Sequence, residues 1–252
     1  MDKDKKIQTI KFYTAIIIMA IILIFVAVVI IKYQVEGEKN MPFNLSKIIV
    51  ISTAEGVEKE DKKEDKKEDW NFDIFQNNDI YLYIDKNMEY NSNTETYISS
   101  VTIENIRISE PNTGEIKAYM PNSLEGRLYN YSDDYIIDEN LVYKGGSKSN
   151  SKTLEIGNQG GEVLIRFSNV NVGKYASSKD KQVVHDGTLI EKIGKTTDDI
   201  RFNVKFDLII KTNRTKYKAE LSFDLPNGDL TKEGRTILEI NETDNIIFKR
   251  VR

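Results

Sequence analysis

The segment Phe12–Ile31 constrains this chain most, because 19 of its 20 residues are apolar or aromatic. As a helix rising about 1.5 Å per residue, the segment is about 30 Å long, which matches the hydrocarbon core of a bilayer. Phe12 and Tyr13 at one end and Tyr33 at the other suit the two headgroup interfaces. The sequence therefore predicts a transmembrane helix over residues 12–32.

A cleaved signal peptide and a buried core helix are the two alternatives for this segment. A signal peptide has a shorter apolar region and small residues at its cleavage site, and Ile30–Val35 offers no such pattern. A core helix would carry a polar stripe, which is absent here. We therefore expect a retained signal anchor that contacts the lipid bilayer directly.

The distribution of lysine predicts the orientation of the anchor. Four lysines precede the apolar segment and two follow it closely, and positive charge favours the cytoplasmic side. We expect a single-pass protein of the plasma membrane with residues 1–11 as a cytoplasmic tail. Residues 33–45 would form a juxtamembrane linker, and residues 46–252 an extracytoplasmic domain.

Composition excludes several classes of function. The 252-residue chain has no cysteine, one histidine and a net charge of −4. A disulfide framework, a thiolate zinc site and a multi-histidine metal centre are thereby excluded. The absence of net basic charge argues against nucleic acid as a partner. No cofactor is expected.

Alternating hydrophobicity after the anchor predicts β-strands separated by turns. The clearest alternation lies in Ile200–Lys211 and Lys216–Asp224. A hairpin with Thr212 opposite Thr215 places four apolar pairs, including Phe206 with Leu221, on one face. Asn213 would adopt the left-handed conformation of its tight turn. With no convincing amphipathic helix, we expect an all-β fold, an antiparallel Ig-like or jelly-roll-like β-sandwich.

A second hairpin is predicted around the turn Pro111–Gly114. The strand at 101–108 changes parity, so we expect a β-bulge at Glu104-Asn105. Antiparallel pairing with Glu115–Met120 would then place Ile108 opposite Ile116.

The run Glu58–Asp69 consists entirely of charged residues. A helix there would place like charges four residues apart, which is unfavourable. We therefore predict a solvated loop between two strands.

A cluster of tyrosines and aspartates is the strongest candidate for a binding site. Tyr129, Tyr131 and Tyr135 lie beside Asp133 and Asp134. Aromatic faces and carboxylates can bind sugars, and carboxylates with backbone carbonyls can bind calcium. The alternative is an exposed loop whose tyrosines cover the edge of the core.

No motif points to catalysis. His185 is followed by Asp186 and Gly187, but neighbours on a strand point to opposite faces. A strand end with an Asp-Gly turn is the simpler interpretation. Because no nucleophile, phosphate-loop or metalloprotease motif occurs, we expect a protein that is not an enzyme.

Residues Tyr33–Gly56, with a later WNFDI at 70–74 and NNDI at 77–80, resemble a family of uncharacterised single-pass membrane proteins of clostridia and related low-GC Gram-positive bacteria. The likeness covers about the first hundred residues. It implies a Gram-positive plasma membrane and no particular activity.

Two non-catalytic functions remain open from the sequence, beside the enzyme that the missing motifs disfavour. The first is a non-catalytic module that binds another protein of the cell envelope. The second is a module that binds cell-wall polymer or glycan through the loop at 128–135.

Overall fold

The computed structural model describes residues 3–58, 69–91, 93–122, 129–146, 154–178 and 188–251. The central residues of the predicted charged loop, 59–68, lie outside these ranges, as do Leu128 and His185. The strands on either side of that loop are described and end at Glu58 and begin at Asp69.

A single long helix, α1, runs from Lys3 to Glu36 and continues past both ends of the predicted span. Every side chain from Lys6 to Lys32 is exposed, so this helix is not part of a protein core. By length and composition α1 is able to cross a membrane.

Eleven strands form two sheets within the described part of the chain. They are β1 Phe43–Glu58, β2 Asp69–Lys86, β3 Ile98–Ile108, β4 Glu115–Tyr119, β5 Asn140–Gly146, β6 Glu155–Gly157, β7 Gly160–Ser178, β8 Phe202–Thr212, β9 Lys216–Leu225, β10 Arg235–Ile240 and β11 Lys249–Val251. Two short helices, α2 Thr188–Lys192 and α3 Leu230–Glu233, lie between strands.

The predicted β-sandwich with one N-terminal helix is confirmed. One sheet has five strands in the order β10-β1-β2-β7-β4, and the other has six in the order β11-β9-β8-β3-β5-β6. The pairings are antiparallel except between β5 and β6, which run parallel. Strand β1 begins at Phe43, inside the predicted linker.

The hairpin of β8 and β9 has the predicted register. Ile210 pairs with Tyr217, Leu208 with Ala219, Phe206 with Leu221 and Val204 with Phe223. All eight side chains are buried. Regular alternation fixed this register because a shift by one residue would turn an apolar row to solvent.

The conformation of the turn between β8 and β9 differs from the prediction. Neither Asn213 nor Arg214 has a positive φ. The Thr212 hydroxyl accepts hydrogen bonds from the backbone N–H groups of Arg214 and Thr215. This side chain supplies the acceptor that shapes the turn, so a left-handed residue is not required.

The predicted pairing of Ile108 with Ile116 is wrong. Strand β3 lies between β8 and β5 in the six-stranded sheet, where Ile108 pairs with Val204. Strand β4 lies in the other sheet on β7, where Ile116 pairs with Asn169. The turn at 111–114 therefore carries the chain from the six-stranded sheet to the five-stranded sheet. The Asn169 side-chain amide donates to the Thr113 carbonyl oxygen at 2.9 Å, which holds this turn against β7.

The β-bulge at Glu104-Asn105 is confirmed. The register between β3 and β8 shifts by one residue between Glu104 and Arg107, and Asn105 has a φ of 53°. Its side-chain amide donates to the Asp207 carboxylate at 2.7 Å. That bond holds the extra residue in a conformation that most residues avoid.

The main core fills the space between the sheets, and a smaller apolar cluster lies at one end. The Phe206 ring stacks on Phe223 of the same sheet, with centroids 5.8 Å apart, and on Phe167 of the opposite sheet at 6.3 Å. Phe206 is fully buried and therefore joins the two layers.

Replacing Phe206 with alanine should lower the free energy of unfolding by about 3–5 kcal/mol, since it leaves a cavity between the sheets. Urea unfolding of the full chain in detergent, followed by circular dichroism, measures this loss. Ile209→Ala is the matched control, because Ile209 lies on the outer face of the same strand and is half-buried. An equal loss for both variants would contradict the position of Phe206.

Candidate functional site

The predicted tyrosine-rich loop crosses the outer face of the five-stranded sheet. A short 3₁₀ helix, Asp133–Tyr135, lies within it. On one side the loop pairs with the edge of β4, where Ile137 donates to the Ala118 carbonyl and Met120 to the Tyr135 carbonyl. The loop therefore covers both the face and one edge of this sheet.

The five predicted binding residues separate into two groups. Tyr129 is buried and Tyr131 is half-buried. Asp133 and Asp134 are exposed, and Tyr135 is half-buried and packs in part against the core. Only the second group is accessible enough to contact a large ligand.

An ion pair lies under the two inner tyrosines. Arg166 of β7 donates from Nε to Asp79 Oδ1 at 2.6 Å and from Nη2 to Asp79 Oδ2 at 2.7 Å. The two side chains are 15% and 11% exposed. The guanidinium also lies 4.0 Å from the centroid of the Tyr129 ring, a cation–π distance.

The Tyr131 hydroxyl is the centre of a second set of polar contacts. It accepts from Arg166 Nη1 at 2.9 Å and from Asn77 Nδ2 at 2.7 Å, and donates to Glu55 Oε2 at 3.0 Å. Ser168 extends the set by donating to Asn77 Oδ1 at 2.7 Å. Three strands, β1, β2 and β7, thus contact one hydroxyl.

Electrostatics keep these groups in fixed protonation states. Burial disfavours the charged guanidinium, but the hydrogen bonds and charge of Asp79 outweigh burial and raise the pKa of Arg166. Burial raises the pKa of the Tyr129 and Tyr131 hydroxyls. Arg166 therefore remains a cation and both tyrosines remain neutral around pH 7.

This arrangement is closed to ligands at its centre. A sugar ring would need a free aromatic face, and the Tyr129 ring is covered by Arg166. The donors and acceptors of Tyr131 are already used within the protein. The geometry assigns these two tyrosines to packing, in line with the alternative that tyrosines cover the edge of the core.

The polar partners of the tyrosines were missed by the sequence analysis. Arg166 interrupts a run of apolar strand residues in VLIRFSN, and Asp79 directly precedes one in NNDIYLYI. A charge within such a run indicates a buried pair. The pairing of these two residues could not be predicted, because they lie 87 positions apart.

Inward-facing amides form a further polar layer at one end of the core. Ser52 donates to Asn78 Oδ1 at 2.7 Å, and Asn78 donates to the Phe167 carbonyl. Gln76 and Asn169 lie beside them, fully buried. This layer separates the two apolar clusters.

The most exposed apolar strand is β10, an edge of the five-stranded sheet. Ile237 is 57% and Leu238 42% exposed. On the outer face Ile237 pairs with Ile51 of β1, which is half-buried. Strand β10 thus combines an edge that no described strand pairs with and exposed apolar side chains.

Within the described ranges, no three histidine, aspartate or glutamate side chains are grouped as metal ligands. No protein-family model, curated protein or solved structure matches this chain.

Replacing Arg166 with methionine should lower the free energy of unfolding by about 3–5 kcal/mol, because Asp79 is left buried without a partner. Denaturant unfolding of the full chain in detergent measures the change.

Arg107→Met is the matched control. Arg107 pairs with Glu220 on the outer face of the six-stranded sheet, with both side chains more than half exposed, and the loss of such a solvent-screened pair should change the free energy of unfolding little. Equal losses for the two arginines would show that the pair under the tyrosines does not stabilise the sheet.

Proposed function

We propose that this chain is a membrane-tethered, non-catalytic interaction module that binds another protein of the cell envelope. Helix α1 anchors it in the plasma membrane of a Gram-positive bacterium, with the N-terminus in the cytoplasm and the sandwich outside. The open edge of β10 binds an extended segment of the partner.

The exposed edge of β10 carries this proposal. Ala54 donates to the Gly234 carbonyl across the β1–β10 pairing. Since antiparallel strands alternate between bonded and non-bonded pairs, the backbone groups of Arg235, Ile237 and Glu239 point away from β1. No described residue forms a backbone hydrogen bond with them on that side.

An edge of this kind favours strand addition. Soluble proteins usually protect open edges by shortening, charging or covering them. At the opposite edge of the same sheet, β4 is covered by residues 135–137. On β10 the outermost side chains include Ile237 and Leu238, which a partner strand would cover while it completes the backbone hydrogen bonds.

The glycan-binding alternative has weaker support from the geometry. Two of its three tyrosines are occupied in packing, which leaves Tyr135, Asp133 and Asp134. If those three residues bound wall polymer, their replacement with alanine would abolish sedimentation of the full chain with cell walls, and variants of β10 would not.

The proposed topology predicts that protease added to intact protoplasts degrades the sandwich. Only α1 and the short N-terminal tail should be protected, because every other part of the chain lies outside the hydrocarbon core and on the side that the protease reaches. Immunoblotting with antibodies to each end follows the digestion. Protection of the C-terminal end in intact protoplasts, with digestion only after lysis, would reverse the orientation.

Strand addition predicts a crosslink that depends on one backbone N–H. A photocrosslinking amino acid at position 238 should give a discrete adduct in membranes of the host. Ile237→Pro should abolish the adduct, because proline removes an N–H that faces the partner and not β1.

Ile237→Val is the matched control, since it keeps the N–H and nearly the same side chain. Circular dichroism of both variants tests that the fold is retained. A crosslinker at Val142, exposed on the other sheet, should give no adduct. Persistence of the adduct in a folded Ile237→Pro variant would exclude pairing at this edge.

A further inference from the structure

The junction between α1 and the sandwich is held by several direct contacts to the C-terminal strand. Glu38 N–H donates to the Phe248 carbonyl at 2.7 Å. The Tyr33 hydroxyl accepts from the Arg250 N–H at 2.8 Å, and Lys249 Nζ lies 2.7 Å from Gln34 Oε1. Strand β11 is therefore fixed beside the last turn of the helix.

Gly37 makes this close approach possible. Its φ is 69°, and a Cβ at this position would lie 2.5 Å from the Phe248 carbonyl oxygen and 2.7 Å from Cγ2 of Ile247. Any other residue would be strained in conformation and would collide with backbone. The Ile247 side chain consequently lies against the end of the helix.

These contacts fix the depth of the junction relative to a bilayer. Tyr33 and Gln34 follow Ile31, the last residue of the continuous apolar segment, by two and three positions, or about 3–5 Å along the helix axis. The polar headgroup layer is about 5–7 Å thick on each side of the hydrocarbon core. Strand β11 therefore reaches headgroup depth whenever the apolar segment spans the core.

Two exposed apolar side chains flank the junction. Ile247 is 41% exposed, and Met88 is 88% exposed in the turn after β2. That turn is tied to the junction because Asn87 donates to the carbonyls of Pro42 and Met41, both at 2.9 Å. Met88 also lines one groove together with Glu36 and Lys39.

Charged side chains of both signs surround the junction. Glu36 pairs with Lys39 and Glu38 with Arg250, each at 2.7 Å. Other charged side chains near the junction are of both signs. Lys86, Glu89 and Asp244 line the groove beside Met88, and Lys216 and Lys218 lie opposite β11, where Lys218 pairs with Asp207. Lys32 and Lys249 lie on the helix end and on β11. Among the described residues acidic and basic side chains are interspersed, so this surface lacks the all-basic cluster that selects anionic lipid, and its distinguishing feature is apolar.

From this geometry we infer that the base of the sandwich, formed by the Met88 turn and residues 247–250, rests on the bilayer and inserts Met88 and Ile247 among the lipid headgroups. The occupant of this surface is the lipid that surrounds α1. The contact is apolar, so it does not require anionic lipid. This inference is independent of the partner proposed for β10.

Single cysteines carrying an environment-sensitive fluorophore test the inference, since the natural chain has no cysteine. The full chain is reconstituted in phosphatidylcholine vesicles that contain a headgroup-nitroxide lipid. Met88→Cys and Ile247→Cys should lose most of their emission, as should the positive control Lys32→Cys on the helix.

Ile237→Cys is the matched control, because Ile237 is an exposed isoleucine on the same domain. It pairs with Ile51, eight residues along β1 from Phe43, or about 26 Å at the rise of a strand. Its emission should be unchanged by the nitroxide lipid. Adding phosphatidylglycerol, or raising the salt concentration, should alter none of the four signals.

Three results would overturn the inference. Unquenched labels at positions 88 and 247, with position 32 quenched, would show that the sandwich stands clear of the bilayer. Equal quenching at 88, 247 and 237 would show that the domain lies on the membrane without a preferred base. Quenching that appears only with phosphatidylglycerol at low salt would show an electrostatic contact.

Discussion

A buried charge must have a partner, and the pairing of Arg166 with Asp79 meets this requirement at the centre of the five-stranded sheet. The two residues belong to β7 and β2, the strands that share the longest pairing of the fold. Tyr129 and Tyr131 exclude water from the pair, and their loop then pairs with β4. One ion pair thus links the two central strands, the tyrosine-rich loop that covers them, and the edge strand β4 with which that loop pairs.

Local patterns predicted the parts of the fold that depend on neighbouring residues. The register of β8 and β9 followed from alternation across one short turn, and the bulge at Glu104-Asn105 from a change of parity within one strand. The predicted pairing of β3 with β4 was wrong, although it too rested on alternation across one short turn. Each strand instead pairs with longer strands that are distant in sequence, β3 with β5 and β8, and β4 with β7. A local pattern carries no information about strands so far away.

The candidate site was predictable in composition and not in arrangement. The loop from Tyr129 to Tyr135 was identified from its residues, but sequence could not show that Arg166 occupies the face of Tyr129. An aromatic ring suited to a sugar is equally suited to a guanidinium. Whether Tyr129 contacts a sugar or a guanidinium depends on β7, a strand that begins more than thirty residues later in the chain.

Gly37 has a consequence for how the molecule moves in a membrane. Because hydrogen bonds join the helix end and Glu38 to residues 248–250, α1 and the sandwich do not rotate independently of each other. Rotation of α1 about its own axis therefore turns the whole sandwich, and the β10 edge sweeps a circle parallel to the membrane. If the proposed partner of β10 lies in the same membrane, it would meet that edge at one fixed height, and its binding segment would have to lie at that height.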